Sequence, residues 1–540
     1  DLALDLGDPN AALAHAEDGL ADLHHHPDPD LSWKLQWRRA QALRALHRDR
    51  EALAAFVQAV SDADDLRKGS LGYRLDTTFV GDKLELFGAA IELACDRHDG
   101  TSAARIIELV KARALAATMS IPPEQRAGRG TVETEFDELS MRIDALSFQQ
   151  YADRATKETV LERRALLARR RDVVERLRIA DPRWRAMSEP VAFDVGRTLE
   201  RLADGDRAAL TLHHRDNKIV AVLLKDGRAR VASTRLPDRV IEAVDAYTAN
   251  LRRSRPDEFA FDLSTEGGVG WRDLVPAVLA EDALSAGTLL VVPHGRLHLL
   301  PWAGLETGDG RAFQRTAVGL LPNLTALTVL DAETTTGAVA LIGDPDYRDL
   351  SRYQALPEAG AEIGEIAALY RSRRKPVRGR DATEAAFWAL TERDGAERCV
   401  LHVVCHADLD ATDPLTSGLI LTRSRVDAGE IALRRIPCPE VVLSACSTAW
   451  RPDRAENLEL TGDDALGLVA SFLEAGARFV LASLPPVLDN AARAFATGWH
   501  RHRLAGASPL QAVRGVQEEL IRRADLPVWS WIGITGYGCR

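Results

Sequence analysis

Residues that mark special chemistry are scarce in this chain of 540 residues, which has six cysteines, three methionines and an aromatic fraction of 6%. The cysteines, at 95, 399, 405, 438, 446 and 539, form neither a CxxC pair nor a Cys/His pattern with zinc spacing. This excludes the common structural zinc motifs and predicts free thiols in a reducing compartment. The histidine run at residues 24–26 is interpreted as a loop, because three adjacent side chains do not converge on one metal ion.

Long apolar runs are also missing, since no stretch of about 18 apolar residues exists. The first residues hold no basic region followed by an apolar stretch. Neither a membrane span nor a signal peptide is therefore predicted, and a cytoplasmic location is expected. The sequence starts at Asp1 without methionine inside a helical pattern, so we expect a truncated chain with further repeats or a targeting segment upstream.

An excess of positive charge is absent as well. The net charge is −11 and the sequence pI is about 5.8, so nucleic acid and membranes are not expected as partners. The basic stretch at residues 371–380 is short and contains Pro376 and Gly379, which favours a solvated loop. The sequence holds no Gly-rich phosphate loop and no metal-binding cluster, so no cofactor and no metal are predicted.

The composition that remains is that of an ordinary folded protein, with 46% apolar and 28% charged residues. No low-complexity segment argues for disorder. The length predicts two or three folded units, each large enough to bury its own core.

The first 120 residues are helical by periodicity and contain a weak internal repeat. Residues 12–16 (ALAHA) and 52–56 (ALAAF) show it, and the second segment fits the A-x3-F element of a tetratricopeptide repeat. A third copy is predicted around residues 103–107. Each helix pair leaves an apolar face that a neighbouring pair must cover, so residues 1–120 are predicted to form a stacked, TPR-like helical arm.

A long helical hairpin is predicted for residues 121–190, where large apolar residues recur at helical spacing among many Arg and Glu residues. The basic face at residues 164–170 is interpreted as a solvated helix surface.

Beyond Pro190, short β runs alternate with helical segments. They lie at residues 209–213, 219–224, 288–292, 339–342, 399–404, 419–422, 441–443 and 479–482. Several are continuously apolar, which is typical of parallel strands covered by helices on both faces. The sequence therefore predicts a doubly wound α/β sheet behind the all-α arm and hairpin. A turn-rich linker at residues 332–337 divides this part into halves at 191–335 and 336–540.

Two of the predicted strands run into residues with nucleophilic chemistry. The strand at 400–404 leads into His406, and the strand at 441–443 leads into Cys446. If these strands are parallel neighbours, their carboxyl ends place the imidazole beside the thiol on one edge of the sheet. The histidine would then take the thiol proton and generate the thiolate that attacks a carbonyl. The backbone amides of Ala407 and Cys446 are the candidate oxyanion hole.

The segments around these residues resemble the motifs of the CHAT family, caspase-like domains associated with tetratricopeptide repeats and related to separases and caspases. Residues 401–407 (LHVVCHA) are similar to the family's histidine motif IHFATHG, and residues 443–448 (LSACST) to its cysteine motif LSACxT. Residues 293–302 (PHGRLHLLPW) resemble its entry segment, and Leu356 with Glu362 the start of one of its helices.

This resemblance extends from about Asp206 to Gly536 and implies a caspase-like α/β fold of the clan CD type. It makes residues 191–335 the N-terminal half of a CHAT domain and residues 336–540 its catalytic half. The chain departs from the family pattern at Ala407, where glycine is usual. It departs again at Pro485 and Leu488, where the family has Trp and Asp.

The candidate substrate pocket is formed by Asp408, Asp413, Ser483 and Asp489. The acidic loop that holds the first two residues has three open interpretations: it orients His406, it lines a pocket for a basic side chain, or it is simply solvated. His402 is interpreted as a hydrogen-bonded core histidine, and Cys405 as a packing residue.

The sequence thus predicts a cysteine endopeptidase with a Cys446–His406 dyad, acting on a protein or peptide. The resemblance implies regulation through the helical repeats by an activating protein partner, and a role in bacterial, antiviral defence or programmed cell death. It also implies a substrate such as a bacterial gasdermin-like protein. The alternative is a catalytically silent scaffold that binds a protein partner, and a less favoured third is a Cys/His acyl transferase.

Overall fold

A computed structural model describes most of the chain. The described residues are 2–23, 25, 29–67, 83–111, 135, 138–139, 142–143, 146, 156–180, 193–253, 260–331, 337–350, 352–371, 375–392, 396, 399–409, 416–445, 467–484 and 487–540. Cys446, Asp413 and Pro485 lie outside these residues.

Helices make up the first part of the chain. They are α1 (Leu2–Asp5), α2 (Pro9–Leu23), α3 (Pro29–Ala45), α4 (Asp49–Arg67), α5 (Leu84–Asp96) and α6 (Gly100–Val110). Neighbouring helices pack against one another through small and aromatic side chains, such as Ala52, Phe56 and Ala59 of α4, which recur on one helix face. Among the described residues, no helix combines the length and the apolar character that a membrane span needs.

The helix α7 (Lys157–Ala180) occupies part of the predicted hairpin. Its residues Leu166 and Val173 pack against Leu139, Ile143 and Leu146, while the rest of the predicted partner helix lies outside the described residues. Arg170 on α7 is buried against Asp427, so the interpretation of this face as solvated is wrong at that residue. An ion pair with a distant segment compensates the burial of this charge.

The second part of the chain is built on strands. They are β1 (Arg207–Arg215), β2 (Lys218–Lys225), β3 (Arg228–Arg235), β4 (Thr288–Val292), β5 (Ala317–Leu320), β6 (Ala338–Pro345), β7 (Val377–Gly379), β8 (Cys399–Val404), β9 (His406–Asp408), β10 (Gly418–Leu421), β11 (Ser424–Asp427), β12 (Glu440–Ser444), β13 (Phe479–Ser483) and β14 (Ile534–Tyr537). Eleven of them form one sheet in the order β3-β2-β1-β4-β5-β14-β13-β12-β8-β6-β7, and the other three form a small sheet in the order β11-β10-β9.

Helices accompany these strands. They are α8 (Val195–Ala203), α9 (Asp238–Arg253), α10 (Trp271–Leu274), α11 (Ala277–Leu284), α12 (Ala312–Arg315), α13 (Leu327–Leu330), α14 (Ala359–Leu369), α15 (Glu384–Thr391), α16 (Ala428–Leu433), α17 (Leu468–Ala475), α18 (Asp489–Leu504) and α19 (Pro509–Leu520). The predicted fold class, an α/β sheet behind a helical region, is confirmed.

Strand direction divides the large sheet into blocks. β1, β4, β5 and β14 run parallel to one another, as do β13, β12, β8, β6 and β7, and the two blocks meet where β13 and β14 pair antiparallel. The runs at 209–213 and 219–224 are an antiparallel hairpin instead of parallel strands, since only two residues separate β1 from β2. The run at 419–422 belongs to the small sheet.

The helical arm is tied to the sheet by buried charged groups. The Glu108 carboxylate on α6 accepts hydrogen bonds from the backbone N–H groups of Leu324 (2.9 Å) and Thr325 (2.7 Å). Lys111 just after α6 donates to the carbonyl oxygen of Val292 at 3.1 Å, where β4 ends. Both side chains are buried, so the arm and the α/β part share a continuous packed interior.

Candidate active site

The two predicted catalytic residues come shortly after the ends of neighbouring strands in the sequence. β8 and β12 pair in parallel register, with Val404 opposite Ser444, so the predicted adjacency of these strands is confirmed. The N–H of Cys405 donates to the carbonyl oxygen of Ser444 at 3.4 Å, which extends the contact past the end of β8. His406 and Cys446 therefore each come two residues after the end of a strand.

A glycine permits the close packing of a third strand here. Gly343 on β6 lies opposite Val404, and a Cβ atom at residue 343 would stand 2.4 Å from the Val404 carbonyl oxygen. This is shorter than any allowed contact, so a side chain here would displace the end of β8 and with it His406.

His406 is held by a backbone carbonyl. Its Nε2 atom lies 2.8 Å from the carbonyl oxygen of Gln354. Because a carbonyl oxygen only accepts hydrogen bonds, Nε2 carries the proton, and in the neutral ring the Nδ1 atom is then the base. No local sequence pattern marks Gln354, since every residue has a carbonyl group.

Burial lowers the pKa of His406 below its ordinary value, and the hydrogen bond with Gln354 partly opposes that shift. The imidazole is therefore neutral at neutral pH, which is the state that a general base requires.

The lowered pKa predicts the pH dependence of any reaction in which His406 is the base. Because the folded-state pKa of His406 is lowered, the imidazole is still unprotonated when the pH falls to about 6.5, the ordinary pKa of histidine. We expect the acid limb of a kcat/KM profile, measured between about pH 5 and pH 9, to have its midpoint at a pH below the pKa of free histidine. A midpoint above pH 7 would contradict the proposed role of burial.

Two tyrosine rings enclose the imidazole. The ring centroids of Tyr347 and Tyr353 lie 5.0 and 5.3 Å from that of His406. The Tyr347 hydroxyl also accepts a hydrogen bond from the His406 N–H and donates one to the Ile420 carbonyl oxygen, both at 2.9 Å. Tyr347 thus bridges β9 and β10 at the pair His406–Ile420 and fixes both the backbone and the ring of the histidine.

Ala407 lies in β9, opposite Leu419 of β10, and its φ is negative. The family's glycine at this position is therefore not required by backbone conformation here. Hydrogen-bonded and non-hydrogen-bonded pairs alternate in an antiparallel ladder, and the neighbouring pair His406–Ile420 has its polar groups facing each other around Tyr347. The Ala407 N–H consequently points away from β10.

A pocket opens between the carboxyl ends of β8, β12 and β13 and the helices α14 and α18. Val404, Cys405, His406, Ser444 and Ala445 line one side. The sulfur of Cys405 is buried, and burial raises its pKa to about 12, which agrees with the interpretation of this residue as packing.

Two of the predicted pocket residues line this cavity. Ser483 ends β13 and Asp489 begins α18, and both side chains border the pocket together with Glu358 and Glu362 of the α14 region. Burial raises the pKa of Asp489 above its ordinary value, and the charge of Glu362 raises it further.

Asp408 does not border this cavity. Its carboxylate pairs with Arg425 at 3.1 Å and with Arg352 at 3.3 Å. Arg425 in turn pairs with Asp427, which also contacts Arg170 of α7. The structure therefore makes Asp408 an anchor of β9 within an ion-pair network rather than a pocket residue. Asp413 lies outside the described residues.

His402 is the hydrogen-bonded core histidine that was expected. It is fully buried on β8 and contacts Glu362 and His500. Within the described part of the chain, no group of three or more His, Cys, Asp or Glu side chains is arranged to hold a metal ion.

This largely parallel sheet with polar loops at one carboxyl edge defines an α/β protein whose site lies where such folds place it. Within that class, residues 271–538 match the family model described as the CHAT domain. The predicted resemblance to the CHAT family is therefore confirmed over these residues.

Two solved structures resemble the chain, both crystal structures of the Saccharomyces cerevisiae separase–securin complex, at 3.0 and 2.6 Å resolution. The sequence identities are 10% and 9%, and the TM-scores are 0.41 and 0.40. The alignments cover 97% and 99% of this chain but 48% and 49% of the chains in those structures, so this chain spans about half their length. No curated protein matches the chain.

Proposed function

We propose that this protein is a cysteine endopeptidase in which Cys446 is the nucleophile and His406 the general base. Nδ1 of His406 takes the proton from the Cys446 thiol, and the sulfur forms a bond to the carbonyl carbon of the substrate. The amides of Ala407 and Cys446 stabilise the resulting oxyanion. The C–N bond then breaks, the imidazolium gives its proton to the leaving amine, and water hydrolyses the thioester.

One observation carries this proposal. The parallel register of β8 and β12 brings the end of the histidine strand beside the end of the cysteine strand, at the mouth of a pocket that His406 and Ala445 line. The Gln354 carbonyl adds the third element of such a site, since it holds the base in one tautomer. The match to the CHAT domain supports the same class of chemistry.

Alkylation by iodoacetamide tests the nucleophile. The other cysteines, at 95, 399, 405, 438 and 539, are all buried, so mass spectrometry should find Cys446 labelled first. We expect cleavage of a peptide library to disappear in step with this labelling. Labelling without selectivity, together with equal cleavage by the wild type and Cys446→Ala, would contradict the proposal. It would favour the alternative of a catalytically silent scaffold that binds a protein partner.

The charges that line the pocket suggest what the enzyme binds. Among the described lining residues the carboxylates are Glu358, Glu362 and Asp489, with no lysine or arginine. Arg493 neutralises Glu358, while Glu362 and Asp489 repel each other. A cationic side chain would relieve this repulsion, so we propose a substrate with arginine or lysine before the scissile bond.

Substituting Asp489 by asparagine is expected to lower kcat/KM for an arginine peptide by about tenfold or more, because a desolvated contact with a charged group is lost. The neutral isostere citrulline at the same position should be cleaved almost equally by both proteins. The measurement is the ratio of kcat/KM for the arginine peptide to kcat/KM for the citrulline peptide, in the wild type and in Asp489→Asn. The same ratio in both proteins would refute the assignment of Asp489 to the substrate pocket. Asp381→Asn, an exposed carboxylate that does not line the pocket, is the control.

The wider role is proposed from family resemblance. Regulation through the helical arm by an activating partner, a cytoplasmic location and a place in bacterial defence or programmed cell death stay predictions, as does a gasdermin-like substrate. The contacts of Glu108 and Lys111 support only the narrower point that α6 is packed against the CHAT-domain sheet.

A further inference from the structure

Polar groups beneath the pocket form one continuous series of hydrogen bonds. Tyr370 Oη lies 3.0 Å from His500 Nδ1, and His500 Nε2 lies 3.1 Å from His402 Nδ1. His402 Nε2 lies 3.0 Å from Glu362 Oε1, and Ser444 Oγ donates to Glu362 Oε2 at 3.1 Å. We call these five residues the buried network. Its three central side chains, Glu362, His402 and His500, are at most 2% exposed.

The buried network joins four elements at the candidate site. Glu362 stands on α14, His402 on β8 and His500 on α18, while Ser444 is the last residue of β12. Glu362 and Ser444 also line the pocket. The Ser444–Glu362 contact therefore fixes the end of β12, two residues before Cys446 in the sequence.

The position of each proton determines which group donates and which accepts in every hydrogen bond of the buried network. An ionised Glu362 only accepts, so the neutral His402 ring must donate from Nε2 and accept at Nδ1. His500 must then donate from Nε2 and accept at Nδ1, where the Tyr370 hydroxyl donates. Every polar contact is satisfied, and one negative charge is buried with two donors directed at it.

An extra proton on His402, or on the Glu362 oxygen that faces His402, would reverse this order. His402 would then donate from Nδ1, and His500 would have to donate from its own Nδ1 to Tyr370. With the proton on His402 the network would also hold a buried cation. Burial, followed by the nearby His402 and Arg503, lowers the pKa of His500 well below its ordinary value, so that ring stays neutral.

We propose that Glu362 is a positioning residue of the candidate active site, held in place by the other members of the buried network. It accepts the Ser444 hydroxyl and so fixes the end of β12, two residues before Cys446 in the sequence, while Tyr370, His500 and His402 supply the donor to its second oxygen. This role rests on the proposed function of Cys446.

Nitrogen-15 spectra of the histidine-labelled full chain test the direction without any need for proteolysis. We expect His402 and His500 as neutral Nε2–H tautomers. Tyr370→Phe removes only the hydroxyl next to His500 and so identifies its signals. A proton on Nδ1 of His500, or a cationic His402, would overturn the assigned direction of the hydrogen bonds.

Ser444→Ala tests the positioning role, because it removes only the contact between the network and β12. We expect the alkylation rate of Cys446 and kcat to fall about tenfold, with KM changed much less, since one hydrogen bond to a charged group is lost. Glu362→Ala should not add to this effect in the double variant, because both substitutions remove the same contact.

The matched control is Ser530→Ala, which removes a buried hydroxyl that donates to the Pro527 carbonyl oxygen at 2.7 Å, away from the pocket. It should leave the alkylation rate unchanged. A folded Ser444→Ala protein with wild-type alkylation would refute the positioning role. Because alkylation and spectra need no substrate, absence of cleavage in the wild type would count against the proposed function alone.

Discussion

Replacing His406 by alanine is expected to lower kcat/KM about 10³-fold, within the range of about 10²- to 10⁴-fold that a general base contributes. The reason is that Nδ1, the ring nitrogen left basic by the Gln354 contact, would no longer take the thiol proton. Steady-state kinetics with the best peptide from a library measures the loss. Circular dichroism should show the variant folded, since His406 is only partly buried.

Two controls separate the chemistry of His406 from its surroundings. His15→Ala changes an exposed histidine on α2 and should leave the rate unchanged. Tyr347→Phe keeps the ring beside His406 but removes the hydroxyl between β9 and β10, so a loss of about tenfold in kcat, much smaller than that of His406→Ala, is expected. Equal rates for His406→Ala and the wild type would remove His406 from the mechanism.

The sheet was predictable where its strands are continuously apolar. Nearly every residue of β4, β8, β12 and β13 is buried, and the Val- and Leu-rich sequences of these strands reflect burial on both faces. β3 was not predicted, because this edge strand alternates exposed charges with small residues (RARVASTR). The antiparallel pairing of β2 with β1 was not predicted, since continuous apolar character reports burial and not strand direction.

Within the candidate site, side chains next to strand ends were predictable and their supports were not. Ser483 ends β13 and Asp489 begins α18, and both were predicted from the sequence as pocket residues. Gln354 acts through its backbone, and Tyr347 reaches β9 from a segment 59 residues away, so neither leaves a local pattern. The ion pairs of Asp408 were not predicted because its partners Arg352 and Arg425 are distant in sequence or on another strand.

Arg425 is the residue whose loss should most disturb the strand that bears His406. Its guanidinium lies between Asp408 of β9 and Asp427 at the end of β11, and the side chains of Arg425 and Asp427 are 5% and 4% exposed. Burial would raise the pKa of Asp427, but Arg425 and Arg170 lower it below its ordinary value. The carboxylate thus stays charged and depends on these two cations.

Arg425→Gln is expected to lower the free energy of unfolding by about 3 kcal/mol. This is the lower end of the range for breaking a buried pair, because Arg170 and Arg352 remain as partners of the two carboxylates. Thermal melting should fall by several degrees. Below the melting range, kcat/KM should fall as well, since β9 loses one of its anchors. The matched control is Arg423→Gln, whose ion pair with Asp349 is 69% and 50% exposed and should contribute less than about 1 kcal/mol.

The pH dependence gives this prediction a second test. Because the folded-state pKa of Asp427 is depressed, the stabilisation from its cations is fully present above the unfolded value of about 3.9 and is lost as pH falls through the folded value. The difference in melting temperature between the wild type and Arg425→Gln should therefore persist from neutral pH to about pH 4 and shrink only in stronger acid. Melting temperatures that coincide at neutral pH would show that β9 is held by packing alone, and Asp408 would then lose its role as the anchor of the histidine strand.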